Sequence, residues 1–214
     1  AVNGREIDLP LLTEIAPESD LDRWLTEVSD AAVIEMRQNR YRFAHDKLRE
    51  YVLRDMRADV RKTAHRQVAA GIEIVYEDHK ERAAILFDHW LRGEVSEKAL
   101  EYAEIAAQAA LERSNYTEAI QIAQQGLVLA GDITKMRMDL LHVLAMAQMR
   151  AAQYEMARAN FLDLLQIARA APSAKAAMLA LAGLSTVEWE QGDYSTGLSY
   201  AREAQQLMGN AAEE

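Results

Sequence analysis

The chain has 214 residues, half of them apolar, with a formal net charge of -10 and no cysteine. That is enough apolar material for a substantial core, in one elongated unit or two small domains. Lack of cysteine excludes a disulfide framework and thiolate chemistry, as fits a reducing compartment, and the longest apolar runs, such as Leu-Val-Leu-Ala at 127–130, fall far short of the ~20 residues of a membrane span.

No basic segment followed by an apolar one marks a secretory signal, and the chain opens Ala1-Val2 without Met, so it reads as a piece of a longer, cytoplasmic protein. The charge is unevenly spread. Residues 1–36 carry two basic and nine acidic side chains, residues 37–66 carry ten and four, and the rest is again acidic. The basic segment suits either an anionic ligand or acidic neighbour, or a solvated pair of helices in which Arg and Lys alternate with Asp55 and Asp59.

In chain order, Leu9, Leu11, Leu12 and Ile15 predict a short helix, and Leu21, Trp24, Leu25 and Val28 predict a second. Ala-Val-Ile-Glu-Met at 32–36 and Tyr-Arg-Phe at 41–43 then flank the polar Arg-Gln-Asn-Arg at 37–40, the pattern of a hairpin. Two helices and a hairpin make a small winged-helix module over residues 1–44. Arg37, Arg40 and Arg42 could meet phosphates, but the helix in the recognition position, LDRWLTEVSDAA, carries Asp22, Glu27 and Asp30 against Arg23 alone. Such a helix is a poor reader of a polyanion, so DNA is not the expected partner.

The stretch RYRFAHDKLREYVLRDM, residues 40–56, switches from strand to amphipathic helix at His45-Asp46. An imidazole there can donate to a phosphate oxygen beside the positive end of a helix, with Asp46 favouring the helix dipole. Alternatively, His45 only joins hairpin to helix. Linking helices follow over 45–93.

From residue 94 to 210 the sequence repeats. Tyr116, Tyr154 and Tyr194 each follow a turn-like pair, and Ala119, Ala157 and Gly197 stand three positions later. Tyr154, Ala157, Phe161, Leu164 and Ala168 form one helical stripe; Tyr116, Ala119, Ala123, Leu127 and Ala130 form another. Partner helices are expected over 97–113, 135–151 and 175–191, with small residues such as Ala107, Gly126, Ala145 and Ser185 allowing close approach. Residues 211–214 are a short tail. The repeats resemble the tetratricopeptide repeat, with a longer period and without its usual glycine in most first helices. The resemblance implies a right-handed superhelical solenoid, all-α apart from the hairpin, that binds partners on its surface. Gln108, Gln148 and Glu188 on the first helices are candidates for that surface, or else solvated polar positions.

AVNGREIDLPLLTEI, LDRWLTEVSDA, YRFAHDKLREYVLRDM and EVSEKALEYAEIAAQAAL, in that order, look like the winged-helix to repeat junction of bacterial STAND signal-transduction ATPases, which are NLR-like switches. YRFAHDKLRE is similar to the Met-His-Asp signature of plant disease-resistance members, with Ala44 in place of the methionine. The resemblance implies that His45 contacts the phosphate of ADP held by a nucleotide domain of the parent protein, that Asp46 supports it, and that the repeats sense a protein or other trigger. No Gly-Lys pair exists in the chain, so it lacks a Walker phosphate cradle, and no cofactor and no catalysis are expected of this segment itself. His45, His65, His79, His89 and His142 lack metal-ligand spacing and read as structural or exposed, Glu73 and Glu77 as a solvated face, and Trp24, Trp90 and Trp189 as packed. A passive repeat scaffold and a winged-helix DNA regulator are the other readings.

Overall fold

Two aspartates start the first helices of the computed structural model, which describes residues 1–211. Asp8 Oδ1 accepts from the Leu11 N–H at 3.1 Å to begin α1 (Leu9–Ile15), and Asp20 Oδ1 accepts from the Arg23 N–H at 3.0 Å to begin α2 (Leu21–Asp30). Each satisfies a donor that the first helical turn leaves without an intrahelical partner. β1 (Ile34–Arg37) and β2 (Arg40–Phe43) pair antiparallel, with Ile34 opposite Phe43. Gln38 and Asn39 close the hairpin with φ of 51° and 62°, the backbone of a type I′ turn, whose twist matches that of the strands. Residues 5–7 lie along the other side of β2, where the Ile7 N–H donates to the Tyr41 carbonyl and the Phe43 N–H to the Arg5 carbonyl. The sequence does not announce this extra pairing, because Arg5-Glu6-Ile7 is too short and charged to read as a strand.

α3 (Asp46–Asp55), α4 (Ala58–Val75) and α5 (Ala83–Arg92) follow. α4 packs against α1 and α5. At Gly71 the approach is so close that a Cβ would stand 2.8 Å from Leu11 Cδ1. Leu11, Val68, Ile72, Leu86 and Phe87 are buried here. Trp90 is buried and donates its indole N–H to Glu73, which also pairs with Lys98, so Glu73 is not part of a solvated face. Trp24 is 40% exposed and Trp189 62% exposed; of the three tryptophans only Trp90 is packed away.

This first compact unit covers Ala1–Ala99, and a second begins at Leu100, inside α6 (Ser96–Glu112). It continues through α7 (Tyr116–Ala130), α8 (Thr134–Arg150), α9 (Tyr154–Ala170), α10 (Ala174–Glu190) and α11 (Tyr194–Ala211). Each predicted tyrosine opens the second helix of a pair. Residues 212–214 of the predicted tail lie outside the described residues.

One backbone device makes the pairs. Ser114, Ala152 and Gly192 adopt φ of 60°, 57° and 85° between the helices, and the following N–H of Asn115, Gln153 and Asp193 reaches back to the carbonyl of Ala110, Gln148 and Glu188. This is a Schellman closure, which satisfies carbonyls that a helix end leaves free. The same bonds occur at Glu94, where the Val95 N–H meets the Trp90 carbonyl between α5 and α6, so the turn appears one helix earlier than the tyrosine pattern shows. Phe161, Leu164, Leu181, Leu184 and Val187 fill the core between α9 and α10. The result is a stacked helix-pair, TPR-like solenoid, preceded in the chain by a small winged-helix-like element with its β-hairpin.

Candidate functional site

In the second unit the first helices of successive pairs, α8 and α10, touch and leave an open groove of about 640 Å³ between them. His142, Met146 and Met149 line it from α8, and Leu179, Ala182 and Thr186 from α10. The helical spacing of three and four residues puts these side chains on one face of each helix. Gly183 belongs to the same wall, and its missing side chain makes room for the Phe161 ring behind it; a Cβ there would lie 2.3 Å from Phe161 Cζ. Methionines adapt their shape to different occupants, which suits a surface that grips a segment of another chain.

Ionisable groups on the first helices are muted by their surroundings. Burial holds the His142 imidazole below its usual range, with Lys175 acting the same way against Asp139. Burial pushes the Glu104 carboxyl up, and the nearby Asp139 carboxylate adds to this. Both groups are thereby moved toward their neutral forms.

The three polar residues expected on this surface separate into two kinds. The first helices repeat at intervals of 38 and 40 residues, so Gln108 shares the register of Met146 and Thr186, which line the groove. Gln108 is half-buried and donates to Glu112. Gln148 and Glu188 instead share the register of Ala110, the packed position that accepts the turn's backbone bond, and both are buried. Gln148 accepts from Asn160 Nδ2 at 2.7 Å, and Glu188 from Arg158 at 2.7 and 2.9 Å. A polar side chain on an apolar helix reads as surface in sequence, yet here each has a partner on α9 that satisfies it in the interior.

His45 stands at the start of α3 in extended backbone, exposed, and its ring makes no hydrogen bond among the described residues. Asp46, in the first turn, pairs with Arg5 at 3.2 Å. Arg40 pairs with Glu6 and Arg42 with Glu35, so two of the three hairpin arginines are engaged. What spacing rules missed is the pair His65 and His89, both buried, with Nδ1 to Nδ1 2.9 Å. They are brought together by the packing of α4 on α5, and only that packing would have revealed them.

Among the described residues there is no group of three or more His, Asp or Glu side chains able to hold a metal, and no helix long and apolar enough to cross a membrane. No protein-family model matches the chain, and no curated protein does. Solved structures match. A MamA RS-1 ArsTM double mutant aligns with a TM-score of 0.51 at 11% identity, over 92% of this chain and 99% of its own. A variant of the nearly identical TPR-like repeats of a kinesin light chain from Podosopora anserina aligns with a TM-score of 0.51 at 12% identity, over 97% of this chain and 100% of its own. A STAND protein with a tetratricopeptide repeat sensor from Pyrococcus horikoshii aligns with a TM-score of 0.49 at 14% identity, over 97% of this chain but 43% of its own. At such identities the likeness is one of fold: this chain has the architecture of a TPR-like α-solenoid.

Proposed function

We propose that the chain is a non-catalytic interaction module whose groove between α8 and α10 binds an extended segment of a protein or peptide partner. The observation that carries this is the groove itself: an open wall of Met146, Met149, Leu179 and Ala182, with no side chain of the described residues filling it. Its apolar floor supplies binding energy, and the polar Thr186 and Glu190 at its edge fix orientation. Selecting peptides from a random display library on the wild-type protein, and then measuring their affinity for Thr186→Arg and Ala182→Arg, tests this. Loss of at least tenfold is expected; undiminished binding places the contact elsewhere.

Within that reading, the module serves as the regulatory and sensor region of a cytoplasmic STAND-type ATPase switch, divided into a winged helix at 1–44, linking helices at 45–93 and repeats at 94–210. The support is the order of sequence segments that resembles that family, together with the exposed, uncommitted ring of His45 at a helix start. His45 restrains the nucleotide domain of the parent by contacting the phosphate of its ADP, with Asp46 holding the loop through Arg5. Trigger binding to the repeats shifts the closed and open populations by its differential affinity for them. Extracting bound nucleotide from the parent protein with and without His45→Ala decides the matter. Loss of ADP supports the latch, and unchanged occupancy leaves the chain a passive scaffold.

A further inference from the structure

The basic charge of residues 37–66 is not absorbed by the groove. Part of it converges in the first unit on a cleft of about 490 Å³ between α3, α4 and α5. Arg49 comes from α3, Arg61 and Lys62 from α4, and Arg92 from α5, facing the two carboxylates Asp88 and Glu94. Lys62 reaches Glu94 at 2.7 Å, Arg92 reaches Asp88 at 2.7 Å, and Arg49 donates to the Ala1 carbonyl at 2.8 Å. Arg61 has no ion-pair partner among the described residues and is exposed. The cleft thus holds four cations against two anions.

His65 also lines it, although only 6% of its surface is exposed. Its Nδ1 lies 2.9 Å from Nδ1 of His89, so one ring must donate and the other accept. Where His65 accepts, its proton sits on Nε2, and the cleft gains a neutral donor among the cations.

We infer that this cleft is a binding site for a small, multiply charged phosphate-type anion. Guanidinium groups and an ammonium converging from three helices match several phosphate oxygens at once. The confined volume and the surrounding charge argue for a small ligand. Residues 1–36 of the same unit are strongly acidic and repel a long polyanion, whereas a compact anion meets only the local excess of positive charge.

Binding is linked to protons. The His65 imidazole is held below its usual range by burial first, then by Arg92 and Arg61, against Asp88. His89 faces it and is lowered further. An anion of fixed charge among Arg49, Arg61, Lys62 and Arg92 offsets their field and lets His65 take up a proton, so its affinity increases as pH falls.

The test is a titration of the whole 214-residue chain with inorganic pyrophosphate at low salt, followed by imidazole NMR resonances and by calorimetry. The expected result is a saturable shift of the His65 and His89 resonances, with the His65 imidazole titrating at higher pH in the bound than in the free protein. Arg61→Glu with Lys62→Glu should weaken binding at least tenfold, while Arg23→Glu on α2 leaves it unchanged. Arg61→Glu alone, at an exposed position, serves if the double variant loses its helical circular dichroism. Absence of a shift at millimolar pyrophosphate, binding by the charge-reversed protein within twofold of wild type, or tighter binding of duplex DNA or an acidic peptide than of pyrophosphate overturns the proposal.

Discussion

The Arg158 guanidinium on α9 grips the buried carboxylate of Glu188 on α10 with two hydrogen bonds, Nε to Oε1 at 2.7 Å and Nη2 to Oε2 at 2.9 Å. It also pairs with Glu155 at 2.9 Å and bonds to Gln191, so one side chain ties the start of α9 to the end of α10. Removing one partner of a buried pair leaves the other charge without compensation. Arg158→Ala is therefore expected to destabilise the second unit by about 2 kcal/mol, less than for a fully buried pair because Arg158 itself is partly open to water. Glu188→Gln with Arg158→Ala should recover part of that loss in urea denaturation, since the stranded charge is then gone.

Gly183 sets a steric limit between the same two helices. Its Cβ position lies 2.3 to 2.6 Å from three atoms of the Phe161 ring, and Phe161 is fully buried. Gly183→Ala should cost at least about 1–3 kcal/mol through overpacking, despite the better helix propensity of alanine. Adding Phe161→Leu should relieve it, which thermal melts of the single and double variants will read.

Glycine is favoured at the equivalent point of each turn. Ser114 and Ala152 hold left-handed backbone that glycine adopts without strain, so Ser114→Gly and Ala152→Gly are each expected to stabilise by up to about 1 kcal/mol. Gly192→Ala should destabilise by a similar amount. A Cβ there meets nothing within 4 Å, so the effect is conformational and not a clash. Paired shifts of the melting temperature in opposite directions check the argument.

Acid should loosen the first unit through its buried histidine pair. His89 is lowered to about 4 from an ordinary 6.5 by burial, with His65 adding to it, and His65 is lowered as well. The folded protein therefore binds fewer protons than the unfolded chain. The stability due to this neutral pair is fully present above about pH 6.5 and is lost as pH falls toward about 4. Urea midpoints at several pH values should decline through that window, and His89→Gln should flatten the decline.

Much of the architecture was legible because short-range chemistry and long-range packing agree. Asp8 and Asp20 stand where helices begin, Gln38-Asn39 tolerates the tight hairpin, and the tyrosines mark the second helix of each pair. The first unit's extra pairing along β2 was hidden because its information lies in Tyr41 and Phe43, the strand that receives it, and not in residues 5–7. The turn at Glu94 was hidden because no tyrosine follows it. At the groove, Gln108 falls in the register of the lining residues, but Gln148 and Glu188 differ from it by two positions, a half-turn of helix that polarity alone cannot detect. Their interior partners, Asn160 and Arg158, are 12 and 30 residues away in sequence.

The Schellman turns carry a practical consequence. Their shape is made by backbone bonds, and serine, alanine and glycine occupy the same geometry with the side-chain position open to water. A chain without cysteine can then receive a single thiol at Ser114 or Ala152, or one at each, with the helix pairs undisturbed. Dyes attached there would sit on rigid vertices of successive repeats, and energy transfer between them would report the curvature of the array as a ruler independent of any ligand.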